Sequence, residues 1–307
     1  MNILGKRYIF FGLSLLIIIP GLIALFAGGN VPLSVDFTGG SLLEVEFTAG
    51  TTPQPAQIIT LYQEAGIKDV RAQTTETGTL LIRSEFLEDA ERDAILQKME
   101  ERFGSLTVRR VDSVGPTIGE QVTQRAAMAV GVASLLVVAF IAWSFRGVQN
   151  AFRYGVCAIL AMLHDVAIIF AVTGFGSRFF GWEIDALFLT ALLTVIGFSM
   201  QDTIVVFDRI RENANIYRRL EYETLVNHSI VQTLQRSINT QLMTVEFMLL
   251  AMALIGGVTL REFSIVLLVG LLSGTYSSIF IAAPILVVWE KQEWRTWFGR
   301  GKRAATA

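Results

Sequence analysis

Tyr8-Ile-Phe-Phe-Gly-Leu-Ser-Leu-Leu-Ile-Ile-Ile-Pro-Gly-Leu-Ile-Ala-Leu-Phe-Ala-Gly28 carries no charged side chain. A hydrocarbon core of about 30 Å takes about 20 mostly apolar residues of helix to cross, and this run suffices. Lys6 and Arg7 stand before it as they would before a secretory leader. The apolar stretch, however, exceeds the about 7 to 15 residues of a leader's core, so an uncleaved anchor is expected. The same window finds five more candidates: Ala126 to Phe145, Phe152 to Phe175, Ala186 to Phe207, Ile238 to Ile255 and Phe263 to Trp289. The composition agrees, with 52% of the 307 residues hydrophobic and 17% charged against roughly 25% charged in a soluble domain.

Between the first two candidates the character changes. Asn30 to Arg125 holds 9 basic and 15 acidic residues. Its pattern reads strand (Leu42 to Phe47), helix (Pro55 to Ala65), strand (Val70 to Thr74), a turn at Gly78, strand (Leu80 to Ser84), helix (Glu88 to Phe103) and strand (Val108 to Val114). That order, β-α-β-β-α-β, is the ferredoxin-like arrangement of two helices on a four-stranded antiparallel sheet. The expected fold is therefore an α-helical integral membrane protein with six transmembrane helices and one α+β outer domain between the first two. The expected boundaries are 1–29, 30–125, 126–290 and a basic tail at 291–307.

Orientation follows from Lys and Arg, which stay on the cytoplasmic side. An inside N-terminus puts 14 of the 25 basic residues in the cytoplasm and leaves Arg178 and Arg261 alone on the two short outer loops. Both termini are expected inside. Net charge of −2 gives no basic field for nucleic acid. Cys157 is the single cysteine and so has no intramolecular partner. His164 and His228 are too few for a His-rich metal centre, and no G-x-x-x-x-G-K-[ST] loop offers a phosphate cradle. No cofactor or enzymatic activity is expected.

Ionisable groups inside a span cost at least about 2.5 to 3.5 kcal/mol each on insertion scales and point to function or pairing. Asp202 and Arg209 lie seven residues apart in the fourth span, on nearly one face of a helix and roughly 10 Å apart. They read as a ladder toward the cytoplasm, the alternative being that Asp202 pins helix packing through a hydrogen bond. Arg236 opens the fifth span and reads equally as a snorkelling anchor or a functional cation. His164-Asp165, midway along the third, suits a proton relay or an interhelical hydrogen bond. Glu246 lies ten residues beyond Arg236, about 15 Å deeper. A carboxyl there favours its neutral form, as a second proton stop or, the favoured reading, as a packing contact. Small residues at Gly256-Gly257 and at Gly270, Ser273, Gly274, Ser277 and Ser278 give the last span a face for close helix approach. Gly39-Gly40 reads as a hinge or as a plain turn into the first strand.

Together, Val35-Asp-Phe-Thr-Gly-Gly40, Val114-Gly-Pro-Thr-Ile-Gly119, Leu163-His-Asp165, Gly197 to Asn213 and the segment from Gly256-Gly257 to Pro284 resemble the SecD/SecF family of the RND superfamily, on its SecF side. The resemblance covers nearly the whole chain. It implies a protein-export role driven by protons as the coupling ion. It also implies SecD, the SecYEG channel, YajC, a translocating preprotein and membrane lipids as partners. Asp202 matches the family's intramembrane aspartate and Arg236 its arginine, both associated there with proton flow. Phe198, Gln201 and Gln241 depart from the family's usual Tyr, Asn and small hydroxyl residue, and Glu246 falls where an apolar or small residue is usual. Two other functions compete: an RND-like exporter of lipids or small molecules, and a scaffold that transports nothing itself.

Overall fold

The computed structural model of the chain describes residues 3–27, 31–48, 52–75, 78–146, 150–241, 245–255 and 258–294. The chain divides into two units. A helical unit takes Met1–Asn30, Val130–Arg178 and Leu187–Ala307; a second unit, labelled the outer unit after the side expected from the basic residues, takes Val31–Ala129 and, from far along the chain, Phe179–Ala186.

After helix α1 (Arg7–Phe26), the outer unit opens with one helical turn, α2 (Val35–Thr38), in which the Ser34 hydroxyl accepts the Asp36 N–H. Gly39 ends that turn at φ +70° and Gly40 continues at φ +124°, a left-handed pair that L side chains rarely adopt. Then follow β1 (Gly40–Phe47), α3 (Pro55–Glu64), β2 (Arg71–Thr74), β3 (Leu80–Ser84), α4 (Asp89–Phe103) and β4 (Leu106–Val114). Reciprocal side-chain and backbone bonds start both longer helices, from Gln54 and Gln57 in α3 and from Glu88 and Glu91 in α4. Gly104 stops α4 at φ +95°.

The sheet runs β2-β3-β1-β4 with every pairing antiparallel. Alternation along β1 sends Leu43, Val45 and Phe47 toward Ile58, Leu61 and Tyr62 of α3 and Ile95 and Met99 of α4, which form the core. The same alternation leaves Glu44 off that core; it is buried and accepts a 2.7 Å bond from Thr79.

The segment Phe179–Ala186 is part of this unit through its backbone. Ile184 exchanges bonds with Pro32 (2.7 Å) and Ser34 (2.9 Å), giving a parallel bridge to Leu33. Glu183 pairs with Arg83, and Asp36 accepts the Ala186 N–H at 3.1 Å. Burial, with the charge of Arg71, lowers Arg83 to about 10.

The helical unit is built from α1, the later part of α5 (Pro116–Ser144), α6 (Ala151–Phe180), α7 (Ala186–Ile216), α8 (Tyr222–Gln241), α9 (Phe247–Ile255), α10 (Val258–Ser277), a π-turn (Ser278–Ala282) and α11 (Ala283–Glu290). Among the described residues, five helices are long and apolar enough to cross a membrane: Leu4–Phe26, Pro116–Ser144, Ala151–Phe180, Ala186–Ile216 and Leu260–Glu290. The chain is a multi-pass α-helical membrane protein with a sheet domain that is not a barrel. The stretch expected as the fifth span, Ile238 to Ile255, falls on the end of α8, on residues 242–244 outside the described set, on Val245 and Glu246 in a π-type turn, and on α9. Helix α5 starts ten residues before its apolar run because Pro116 opens it with a preset φ, and Thr117 to Gln124 carry only Ile118 and Val122 as apolar side chains, too few to reveal a span.

Small residues set the helix spacing here. A Cβ on Gly174 of α6 would run into the Gly21 carbonyl of α1, and one on Gly270 of α10 into Val195 of α7. A Cβ on Gly274 would stand 3.1 Å from the Ser199 Cα. The α10 face of Gly270 and Gly274 therefore lies against α7, as small-residue faces do in lipid, where packing rather than water drives association. Gly256-Gly257 lies outside the described residues.

Candidate proton-handling site

Helix α7 carries Ser199 and Asp202 three residues apart, hence as neighbours on its surface. Asp202 is 8% exposed. Its Oδ1 accepts from Ser237 of α8 at 2.8 Å and its Oδ2 from Ser278, first residue of the π-turn, at 3.1 Å. Arg236, the residue before Ser237, is the cation whose charge acts on this carboxyl, and it is itself exposed.

A second carboxyl centre lies on α6. Asp165 is 1% exposed and takes four donors, one for each lone pair it offers. Ser273 (2.6 Å) and His164 Nδ1 (3.0 Å) reach Oδ1; Ser199 (2.5 Å) and Ser277 (2.6 Å) reach Oδ2. The other ring nitrogen of His164 meets Ser14 of α1 at 2.9 Å, and its ring stacks on Tyr276, whose hydroxyl donates to the Phe10 carbonyl at 2.9 Å. The two centres share elements: α7 supplies Ser199 to one and Asp202 to the other, and adjacent Ser277 and Ser278 serve one each.

Of the residues singled out from the sequence, Asp202 with the charge of Arg236 and Asp165 with His164 thus form two separate carboxyl centres that share α7 and the end of α10. Arg209 is placed elsewhere. Its guanidinium donates to Gln232 at 2.7 Å and Glu212 at 2.8 Å, so the expected ladder from Asp202 to Arg209 has no contact in it. An unbonded separation of about 10 Å along a helix leaves the arginine to whichever acceptors stand beside it, here one on α8 and one three residues on. Glu246 is 4% exposed and neither of its oxygens has a hydrogen-bond partner among the described residues. Gln241 Oε1 shares that condition. Gly39 and Gly40 belong to the outer unit and are closely packed there: a Cβ on Gly40 would stand 2.7 Å from the Ser84 carbonyl oxygen, and one on Gly39 3.0 Å from Pro116 Cα.

The serines are what sequence reading missed as carboxyl ligands. Ser199, Ser237, Ser273, Ser277 and Ser278 all become ligands only through interhelical packing. Among the described residues no group of three or more His, Cys, Asp or Glu could hold a metal ion. A carboxyl ringed by hydroxyls, with an imidazole beside one of the two, can bind and release a proton, since each hydroxyl both donates and accepts.

At one end of the helical unit, charges are cross-linked outside the apolar runs. Arg7 meets Glu223 (3.0 Å) and Glu293 (2.5 Å), and Lys291 meets Glu221 (2.7 Å) and also Glu223. The bonds from Lys291 and Arg7 hold the Glu223 carboxyl below the usual carboxylate range.

Residues 94–292 match the family described as "Protein export membrane protein SecD/SecF, C-terminal", and residues 31–50 match the "SecD/SecF GG Motif". The chain is 63% identical to the protein translocase subunit SecF of Anaerolinea thermophila, over the whole of both chains. It is 43% identical to that of Thermobaculum terrenum, over all of this chain and 99% of the relative. Among solved structures it is similar to SecDF from Thermus thermophilus, with a TM-score of 0.80 and 33% identity, covering 95% of this chain and 39% of that one. A structure of SecDF in a super-membrane-facing form matches with a TM-score of 0.67 and 32% identity, over 97% of this chain and 40% of the other. The chain therefore spans about two fifths of those solved SecDF chains while matching the SecF relatives end to end. This chain belongs to the SecD/SecF family of protein export membrane proteins.

Proposed function

We propose that this chain is the SecF-type half of a membrane motor that uses the proton-motive force, with a SecD-type partner and the SecYEG channel, to promote preprotein translocation across the cytoplasmic membrane. It is a transport subunit, not an enzyme. The observation that carries the reading is Asp202: a carboxyl 8% exposed in an apolar helix, held by serines from two other elements and acted on by Arg236. Such an acid is expensive in lipid and is retained for work. Asp202 binds and releases the transported proton, Arg236 answers its charge, and His164 with Asp165 extends the path. Arg209, bound to Glu212 and Gln232, stands at most at its exit. Glu246, buried and with no hydrogen-bond partner among the described residues, is read as a neutral packing contact, with a second proton stop as the alternative.

The same reading has six spans, with Ile238 to Ile255 beside the five long apolar helices, both termini in the cytoplasm, and boundaries near residues 30, 125 and 290. The outer β-α-β-β-α-β domain is ferredoxin-like, a description its strand order supports. Helix α5 presents Leu135, Leu136 and Val138 outward, which suits a half-bundle completed by SecD, because transporters commonly place their sites at the interface of two repeats. YajC belongs to the same proposed assembly. Gly39-Gly40 is the proposed pivot of the outer domain.

Export of a reporter preprotein, measured with and without a proton gradient, tests the proposal. Asp202→Asn is expected to leave insertion and complex assembly intact and to remove the gradient-driven part. Wild-type export by that variant under a full gradient excludes Asp202 as the carrier; loss of assembly instead favours a scaffold.

A further inference from the structure

Ser278 has one proton to give and two acceptors at nearly equal distance. Its Oγ lies 3.1 Å from Oδ2 of Asp202 and 3.0 Å from the carbonyl oxygen of Thr275. Ser277 beside it is placed unequally, 2.6 Å from Asp165 and 3.2 Å from the Gly274 carbonyl. Ser277 thus has a clear preference and Ser278 does not.

Consider the two states of Asp202. An ionised carboxylate only accepts, so Ser278 must donate to it. A protonated carboxyl has an O–H of its own; Ser278 can then accept that proton's hydrogen bond and turn its own hydroxyl hydrogen to Thr275. The Thr275 carbonyl gains a bond in one state and loses it in the other. Thr275 belongs to the last turn of α10, and Ser278 opens the π-turn Ser278–Ala282 that separates α10 from α11. Such turns appear as local irregularities in α-helices, frequently at functional sites, and this one begins on the residue that touches the acid. Pro284, shortly after it, lacks an N–H and keeps the helical ladder from closing fully there.

From this geometry we propose that Ser278 is the positioning residue that registers whether Asp202 carries its proton, and that the turn it opens is where the last span responds. The inference rests on the reading of Asp202 as the proton carrier. The charged group acting on Asp202 among the described residues is Arg236 on α8; the second centre, on the elements it shares, holds Asp165 and His164 on α6 and Tyr276 on α10. Ser277 ties Asp165 to the same turn from its other side. A change at Ser278 therefore meets the second carboxyl centre one residue away.

The test uses membrane vesicles holding this chain in full with its SecD-type partner and the channel. Gradient-driven export of a reporter preprotein is followed across pH for wild type, Ser278→Ala, Ser278→Thr and Asp202→Asn. Removing a hydrogen bond to an ionisable group is expected to displace the pH midpoint of Ser278→Ala by about one unit. Ser278→Thr, which keeps the hydroxyl, is expected to hold the wild-type midpoint. A rate lowered equally at every pH with the midpoint unmoved means that Ser278 only packs, and it overturns the proposal. Where alanine reduces the amount of assembled complex, Ser278→Cys, nearly isosteric and a far weaker donor, replaces it with the same two outcomes. If Asp202→Asn loses gradient-driven export while Ser278→Ala keeps the wild-type midpoint, the inference alone fails. If Asp202→Asn exports normally, the carrier reading fails first.

Discussion

Replacing Asp165 by asparagine keeps the shape of the side chain and removes its charge, so it isolates what four converging donors are worth. Hydrogen bonds to a charged group contribute about 1.5–3 kcal/mol each, against about 0.5–1.5 for neutral pairs. The amide oxygen can keep Ser273 and His164, whereas its NH2 faces Ser199 and Ser277, which must then turn and accept. Ser277 has an alternative acceptor ready in the Gly274 carbonyl at 3.2 Å. Losing about half the worth of each of four bonds amounts to about 3–6 kcal/mol, and partial rescue at Ser277 lowers this to about 2–5 kcal/mol. Asp165→Leu removes every acceptor and is expected to cost a further 2 kcal/mol or so, because buried hydroxyls are then left unpaired. Unfolding of the purified protein in mixed micelles, titrated with sodium dodecyl sulfate and followed by far-ultraviolet circular dichroism, measures both. Asparagine at wild-type stability, or leucine no worse than asparagine, would refute the view that Asp165 organises α1, α6, α7 and α10 through its hydrogen bonds.

Three further outcomes are expected. Gly40→Ala puts a Cβ 2.7 Å from the Ser84 carbonyl at φ +124° and should cost about 1–3 kcal/mol, seen as faster amide exchange in β1 and β3 of the full-length protein. Gly115→Ala, whose Cβ meets nothing within 4 Å, is the control, and equal exchange in the two variants rules the strain out. Glu223 has a lowered carboxyl, so its contribution is present above the ordinary value of 4.5 and is lost as pH falls through the lower folded value. The first turn of α8 should therefore exchange faster in that acid window, and Glu223→Gln should abolish the dependence; a dependence that survives the substitution lies elsewhere. Arg236→Lys should retain part of the gradient-driven export and Arg236→Gln none, since an ammonium keeps the charge but not the fixed fork of donors. Full activity in both leaves Arg236 as an anchor.

The outer sheet was legible because its alternation is local. Leu43, Val45 and Phe47 announce one buried face of β1, and Gly78 marks a turn at positive φ. The acids of the bundle were legible because charge in an apolar run is conspicuous. What held them was not. Ser237, Ser273 and Ser278 look like ordinary small polar residues of a span until α8 and α10 bring them to carboxyls that lie 35 to 108 positions away in the chain. The π-turn has no signature in Ser-Ile-Phe-Ile-Ala, residues 278–282, because its register is set by packing rather than by propensity. Arg209 misled for the opposite reason. Helical periodicity put it on the face of Asp202, but nearer acceptors claimed its guanidinium.

Phe179–Ala186 belongs to the outer unit although it follows Ala129 only after the helical segment Val130–Arg178. A polypeptide is made from its N-terminus, and domains generally fold as units while synthesis proceeds. When Ala129 has been synthesised, Arg83 still lacks Glu183, and the backbone of Pro32 and Ser34 still lacks Ile184. Those partners arrive only after the chain has passed through the apolar lengths of α5 and α6. The outer unit thus cannot finish maturing ahead of the helices that follow it in the chain, and a ribosome stalled before residue 186 would leave it with an unsealed edge and an uncompensated arginine.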